Sequence, residues 1–209
     1  AKSSAASDVY KRQIRTRGDI RPRPVVGKSA IQLVPSGPGL VPDAIHSLLL
    51  TTIYAARREL VMTTPYFIPD EPLLAALIAA AQRGVKVKII VPQKNDSLLV
   101  KYASRARYEE LANSGVQIYL FHGGLLHSKT ITVDGDFSLF GSVNLDMRSF
   151  WLNFEATLFV YCKTFTEQLL GVQQDYIDQS LPLDLELFSS RNAFEKFKEN
   201  VLLLVSPLL

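Results

Sequence analysis

Residues 59–121 read ELVMTTPYFIPDEPLLAALIAAAQRGVKVKIIVPQKNDSLLVKYASRARYEELANSGVQIYLF. Three short runs rich in β-branched and large apolar residues, ELVMTT, VKVKIIV and VQIYLF, alternate with two longer stretches of helical periodicity. EPLLAALIAAAQRG closes on Gly84, and SLLVKYASRARYEELANSG takes Asp96 or Ser97 as its N-cap and closes on Gly115. Strands joined by helices pair in parallel, because only a long crossover returns the chain to the same end of a sheet. Upstream, AIQLVPS reads as a further strand, and Asp43 stands at the N-cap of a helix over AIHSLLLTTIYAARRE. Downstream, SKTITV, FSLFGS and NFEATLFVY follow one another with no helix between them, so this part is antiparallel or mixed. The text turns helical again from about Thr164. The expected fold is α/β: a mixed, mainly parallel β-sheet flanked by helices on both faces.

The composition agrees with one domain. The chain has 209 residues, 47% of them hydrophobic and 21% charged. Its single cysteine, Cys162, forms no internal bridge and fits a reducing compartment. The longest clean apolar run, Leu73 to Ala81, is far short of the roughly 20 residues of a membrane span. Residues 1–30 hold eight basic and two acidic side chains, whereas residues 31–209 hold 15 basic and 18 acidic ones. The basic character therefore belongs to the leader, and residues 1–29 read as a leader or Pro-interrupted linker, its first part resembling a cloning scar. The domain runs from 30 to 209.

In open α/β sheets a ligand crevice lies beyond the carboxyl ends of the parallel strands. Tyr66 and Phe67 are candidate walls there, and Asn95, Asp96 and Ser97 are candidate polar contacts, although loop and cap roles account for them better.

The chemistry concentrates in GGLLHSKTITVDGDFSLFGSVNLDMRSFWLNFE, residues 123–155. On a strand His127 and Lys129 share a face, ~7 Å apart, and a lysine inside a sheet must find an anion or reach solvent. Asp134-Gly135 signals a hairpin. A two-residue turn would put Ser142 and Asn144 on the His127/Lys129 face, and a three-residue loop would invert that parity. Asn153 and Glu155 share a face on the next strand. An imidazole can attack phosphorus and form a covalent phosphohistidine. Lys129, Asn144 and Ser142 would hold the non-bridging oxygens, and Glu155 would accept from the second imidazole nitrogen. With three histidines, no i,i+4 pair and no cysteine cluster, a zinc site is not expected. No cofactor is called for.

His127, Lys129 and Asp134, followed by Gly141, Ser142 and Asn144, complete the HxKxxxxD and GSxN signature, and on these residues the chain resembles the phospholipase D superfamily. PSGPG, MTTPYFIPD, PQKNDS, GGLLHSK and the terminal SPLL narrow the resemblance to the second half of the bacterial cardiolipin synthases, over residues 31–209. It implies catalytic roles for His127, Lys129, Asp134 and Glu155, with Asp134 mainly structural. It also implies phosphatidyl transfer between two phosphatidylglycerol molecules through a phosphatidyl-histidine, at a bacterial membrane surface. Family members use two such motifs, and this chain has one; His122, in the preceding loop, is a poor substitute. The second is expected from an upstream half or a second subunit, with His127 then acting as acid and base. Phe194, Phe197, Val201 and Leu204 fall on one helical face, for which packing on the domain is the commoner use and a membrane interface the alternative. A homodimeric nuclease and a non-catalytic lipid-binding half are the rival readings. The net negative charge of residues 31–209 argues against nucleic acid.

Overall fold

The computed structural model describes residues 24–39 and 43–204. The elements are β1 (Ala30–Ser36), α1 (Ala44–Ala55), β2 (Glu59–Thr63), β3 (Phe67–Ile68), α2 (Glu71–Gln82), β4 (Lys86–Pro92), α3 (Leu98–Asn113) and β5 (Gln117–Phe121). They continue with β6 (Thr130–Val133), β7 (Phe137–Gly141), β8 (Leu145–Asp146), α4 (Met147–Trp151), β9 (Glu155–Tyr161), α5 (Lys163–Asp178), β10 (Ser180–Pro182), α6 (Leu185–Ser189) and α7 (Ala193–Leu204). Residues 1–23 of the leader and the terminal SPLL lie outside the described residues.

Eight strands form one sheet in the order β1-β9-β7-β6-β2-β4-β5-β10, and β3 pairs with β8 in a second, two-stranded sheet. The mixed α/β architecture is as expected. The parallel share is smaller than expected: β2, β4 and β5 run parallel, but β1 pairs antiparallel with β9 and not with the parallel set. The antiparallel pairs β9-β7, β7-β6 and β6-β2 make up the rest of that side. Strand identity was readable from periodicity, but the partner of an edge strand depends on contacts more than a hundred residues away.

Helices cover both faces. Leu60, Met62, Ile131, Val133, Leu139 and Phe159 point to one side, into the large core shared with α1, α2 and α3. Val61, Ile90 and Phe121 point to the other, beneath Leu170, Tyr176 and Ile177 of α5 and its end. Gln173 on α5 is 1% exposed and has its amide satisfied by Thr132, Thr130 and the Val61 carbonyl, as a buried amide must be. Ser97 caps α3 through the Val100 amide. Asp43 occupies the N-cap position of α1 but in a left-handed conformation with no side-chain cap bond, unlike the expected cap.

The β6-β7 hairpin turns through three residues, Asp134, Gly135 and Asp136, with Val133 opposite Phe137. Asp134 and Gly135 both have positive φ, 55° and 74°, the left-handed backbone that aspartate and glycine tolerate best. The Asp134 carboxylate accepts the consecutive amides of Arg57, Arg58 and Glu59 at 2.9, 2.7 and 2.8 Å, and the Arg58 guanidinium bonds its carbonyl. Asp134 thus ties the hairpin tip to the start of β2. Burial pulls its pKa upward, but the three amides and the Arg58 charge outweigh that and hold it below the ordinary aspartate value.

A carboxylate whose pKa is lowered by folding stabilises the folded state above the unfolded pKa, and the stabilisation fades as pH falls through the folded pKa. Asp134→Ala is expected to destabilise the protein by about 1–3 kcal/mol at pH 7, a loss of several degrees in Tm. In thermal unfolding of Asp134→Asn, the deficit against wild type is expected to shrink as pH drops below the ordinary aspartate range. A deficit of the same size at all pH values would contradict the charge-based clamp.

Candidate active site

The hairpin's open end carries the motif. Lys129 immediately precedes β6, and its carbonyl accepts the Gly141 amide at 3.2 Å, one step beyond the strand proper. At Gly141 the chain presses so closely on β9 that a Cβ would collide with the Ala156 carbonyl. His127 lies two residues before Lys129 in unpaired, extended backbone and is exposed. The Lys129 Nζ folds back to donate to the His127 carbonyl at 2.9 Å, so the ammonium is held against the backbone of the histidine's own segment.

The three-residue turn inverts the parity that a two-residue turn would give. Lys129 stands opposite Gly141 and not opposite Ser142, and Gly141 in turn stands opposite Thr157, which shares its face with Glu155. Ser142 is turned to β9: its amide donates to the Ala156 carbonyl at 3.1 Å and its Oγ accepts the Ala156 amide at 3.0 Å. The expectation that Ser142 joins the His127/Lys129 face is therefore corrected. Asn144 arrives by another route. The chain leaves β7 and enters β8, where Leu145 and Asp146 pair with Phe67 and Ile68, and the Asn144 amide donates to Ser149 Oγ at 3.2 Å.

Charge organises the cluster. Partial burial draws the Lys129 pKa down, the carboxylates of Glu155 and Asp146 draw it up, and the net position is below the ordinary lysine value. Asp146 is 8% exposed, and burial raises its pKa although the amide and hydroxyl of Ser149 and the Asn144 amide oppose this. Glu155 accepts from Asn153 Nδ2 at 3.2 Å. That contact, and not one with the imidazole, is the hydrogen bond its carboxylate makes, which corrects the expected Glu155 to His127 pairing. Asp134, at the far end of β6, spends its carboxylate on three backbone amides, so a direct catalytic part for it is also corrected.

The crevice residues separate into two groups. Tyr66 faces the cavity and donates its hydroxyl to both carboxylate oxygens of Asp96, at 3.0 and 2.9 Å. Asn153 lies across the cavity, its Oδ1 3.4 Å from Arg148 Nε. Phe67 is 1% exposed, packs on Tyr108 and, with Asn95, lines a separate small cavity toward α3, away from the one that Tyr66 faces. Asn95 braces its own loop, donating to the Pro65 carbonyl and accepting the Ser97 amide. His122 is exposed in the loop after β5, with its amide on the Gln179 carbonyl.

Sequence reasoning missed Asp146, Arg148 and Ser149. The spacing of Asp146 and Ser149 carried a signal, since an aspartate three residues before a serine is a helix N-cap pattern, and Asp146 does accept the Ser149 amide at 2.7 Å. Arg148 carried only a charge. His46 was also unread: it is buried on α1, with Nε2 2.8 Å from Asp70 Oδ2 and ring centroids of Phe150 and Trp151 each 5.3 Å away. Trp151 is thereby half-wall, half-solvent, at 37% exposure.

Residues 49–174 match the family described as "Cardiolipin synthase, PLD-like domain". The cardiolipin synthase A of Yersinia pseudotuberculosis is 55% identical over 179 residues, which are 86% of this chain and 37% of that protein. The chain thus spans little more than a third of the curated relatives it matches. Among solved structures, the phospholipase D family member Nuc from Salmonella typhimurium superimposes with a TM-score of 0.64 at 25% identity, covering 75% of this chain and 99% of that one. The phosphatidylserine synthase of Haemophilus influenzae gives a TM-score of 0.72 at 19% identity over 97% of this chain and 53% of its own, a likeness of fold. Sequence and fold agree with the hairpin-borne histidine and lysine, and the chain belongs to the phospholipase D-like cardiolipin synthase family.

Proposed function

We propose that this chain supplies one of the two phosphate-handling centres of a phosphatidyltransferase that makes cardiolipin from two phosphatidylglycerol molecules. The observation that carries this reading is the exposed His127 two residues from Lys129, whose ammonium is bonded to the His127 carbonyl and feels the charges of Glu155 and Asp146. Identity to a cardiolipin synthase across most of the chain supports the substrate.

The reaction divides into two displacements at phosphorus. One motif imidazole attacks the phosphodiester of the first phosphatidylglycerol. The bond from phosphorus to the glycerol oxygen breaks, and that oxygen takes a proton from the other motif's imidazole. A hydroxyl of the second phosphatidylglycerol then returns a proton to that imidazole as its oxygen attacks phosphorus, and the phosphorus to nitrogen bond breaks. His127 is one of the two imidazoles, and a second motif, on another half of the protein or a second subunit, provides the other. Lys129 and the Asn144 amide offset the charge on the non-bridging oxygens. Glu155 acts through its charge on Lys129, keeping a partly buried amine protonated. No cofactor enters these steps.

The outward face of α7 supports work at a bilayer surface. Phe194, Phe197 and Leu204 are 67, 63 and 80% exposed, while the opposite side buries Glu199 between Arg105 and Arg191. The expected packing of the apolar face on the domain is thus reversed. Among the described residues no helix is long and apolar enough to cross a membrane, so the domain itself would sit peripherally. The coverage of nearly all of Nuc by this fold favours a second reading, a homodimeric phosphodiesterase. The net negative charge of residues 31–209 weighs against a nucleic-acid substrate.

His127→Ala is expected to lower cardiolipin formation from labelled phosphatidylglycerol at least about a thousandfold in the intact protein, with Tm within a degree or two because the side chain is exposed. Plasmid nicking with no lipid product would favour the second reading. Glu155→Gln removes a charge that raises the Lys129 pKa, so the Lys129 Nζ resonance is expected to titrate at lower pH than in wild type. An unmoved titration would remove Glu155 from this role.

A further inference from the structure

A cavity of about 370 Å³ opens directly beside Asn144, within the range of small-molecule sites. Its apolar surface comes from Ile68 and Val100, both buried. Its polar groups are Tyr66, Asn144, Asp146, Arg148 and Asn153, with Ser97, whose Oγ is engaged by the Val100 amide. These polar groups do not complete one another's hydrogen bonding. Among the described residues the Asn144 Oδ1 has no partner, but it is shielded from solvent, so the free groups are those of Tyr66, Asp146 and Arg148. Among the described residues the Arg148 guanidinium makes one side-chain contact, a long one from Nε to Asn153, leaving its terminal nitrogens to donate elsewhere. The Tyr66 hydroxyl points its proton at Asp96, so its oxygen lone pairs remain available.

The signs of charge around this space narrow what fits. An anion entering it meets the Asp146 carboxylate, with that of Asp96 behind Tyr66. An ammonium meets the Arg148 guanidinium and finds a single aromatic side chain, short of the several faces that hold cationic head groups. A neutral head bearing several hydroxyls satisfies both halves of the lining. Its O–H groups donate to the Tyr66 hydroxyl oxygen and Asp146, its oxygens accept from Arg148, and its C–H faces lie on Ile68 and Val100. Resting on the transfer reading above, we infer that this cavity is the subsite for a neutral polyol head of the alcohol exchanged at phosphorus, with Tyr66 and Arg148 as its specificity-determining side chains.

The test is a competition within one reaction. The intact protein, in mixed micelles of detergent and phosphatidylglycerol, is offered glycerol, 1-butanol and ethanolamine as acceptors at equal concentration, and the phosphatidyl products are separated and counted. A product ratio is insensitive to the fraction of protein that is folded or active, so a variant that folds poorly still reports. Wild type is expected to favour glycerol over both rivals. In Tyr66→Phe and Arg148→Met the glycerol-to-butanol ratio is expected to fall about tenfold, the effect of losing one hydrogen bond to a hydroxyl. A ratio that stays at the wild-type value in both variants overturns the subsite, as does a wild type that prefers ethanolamine. A wild type that forms no alcohol adduct at all sinks the transfer reading and the subsite with it, a result distinct from an unmoved ratio.

Discussion

One carboxylate meeting three consecutive amides sets the position of everything that follows it. The Asp134 clamp joins the tip of the β6-β7 hairpin to the first residues of β2, which is also the strand that leads into the parallel half of the sheet. Because β6 is short, fixing its far end against β2 fixes where Lys129 and His127 emerge from its near end. Charge-assisted hydrogen bonds to backbone donors are stronger and more directional than neutral ones, so the hairpin has little freedom to slide. A slip of one residue would turn Lys129 to the α5 side of the sheet, away from Glu155. The aspartate of the HxKxxxxD signature therefore serves the chemistry from a distance, by register.

The same hairpin explains the electrostatics of the site. Gly141 lets β7 lie against β9 without a side chain between them, which brings the Glu155 strand to the Lys129 strand. The lysine is left partly buried, and partial burial alone would favour the neutral amine. Two carboxylates, one from β9 and one from the end of β8, compensate. A half-buried cation is screened less than one in open water, so its field on an incoming phosphate is the larger.

Much of this was legible in the text of the chain, and the reasons for the failures are specific. The parallel strands and their helices were marked by periodicity, by Gly84 and Gly115, and by Ser97, all local signals. His127, Lys129 and Asn144 were marked as candidates by spacing and residue type. What could not be read was non-local. The pairing of β1 with β9 joins segments more than a hundred residues apart. Ser142 was misplaced because an Asp-Gly pair is compatible with both a two-residue and a three-residue turn, and the choice reverses the faces beyond it. Phe67 does line a cavity, but its pairing with Leu145 turns it away from the space that Tyr66 faces, and that pairing is not local in the chain. Asp146 and Ser149 looked like an ordinary helix cap, which they are, and nothing local announced that the cap also borders Asn144.

His46 gives the cavity a property that none of its lining residues has alone. It touches Asp70, which closes the Tyr66 loop, and it is packed against Phe150 and Trp151, which end the helix begun by Asp146. The two sides of the cavity are thus fastened to the same ring, and they are fastened again where Ile68 pairs with Asp146. With two attachments these sides are braced against moving apart, so a head group of another size is accommodated on the third side, where Ser97 and Val100, at the start of α3, line the cavity.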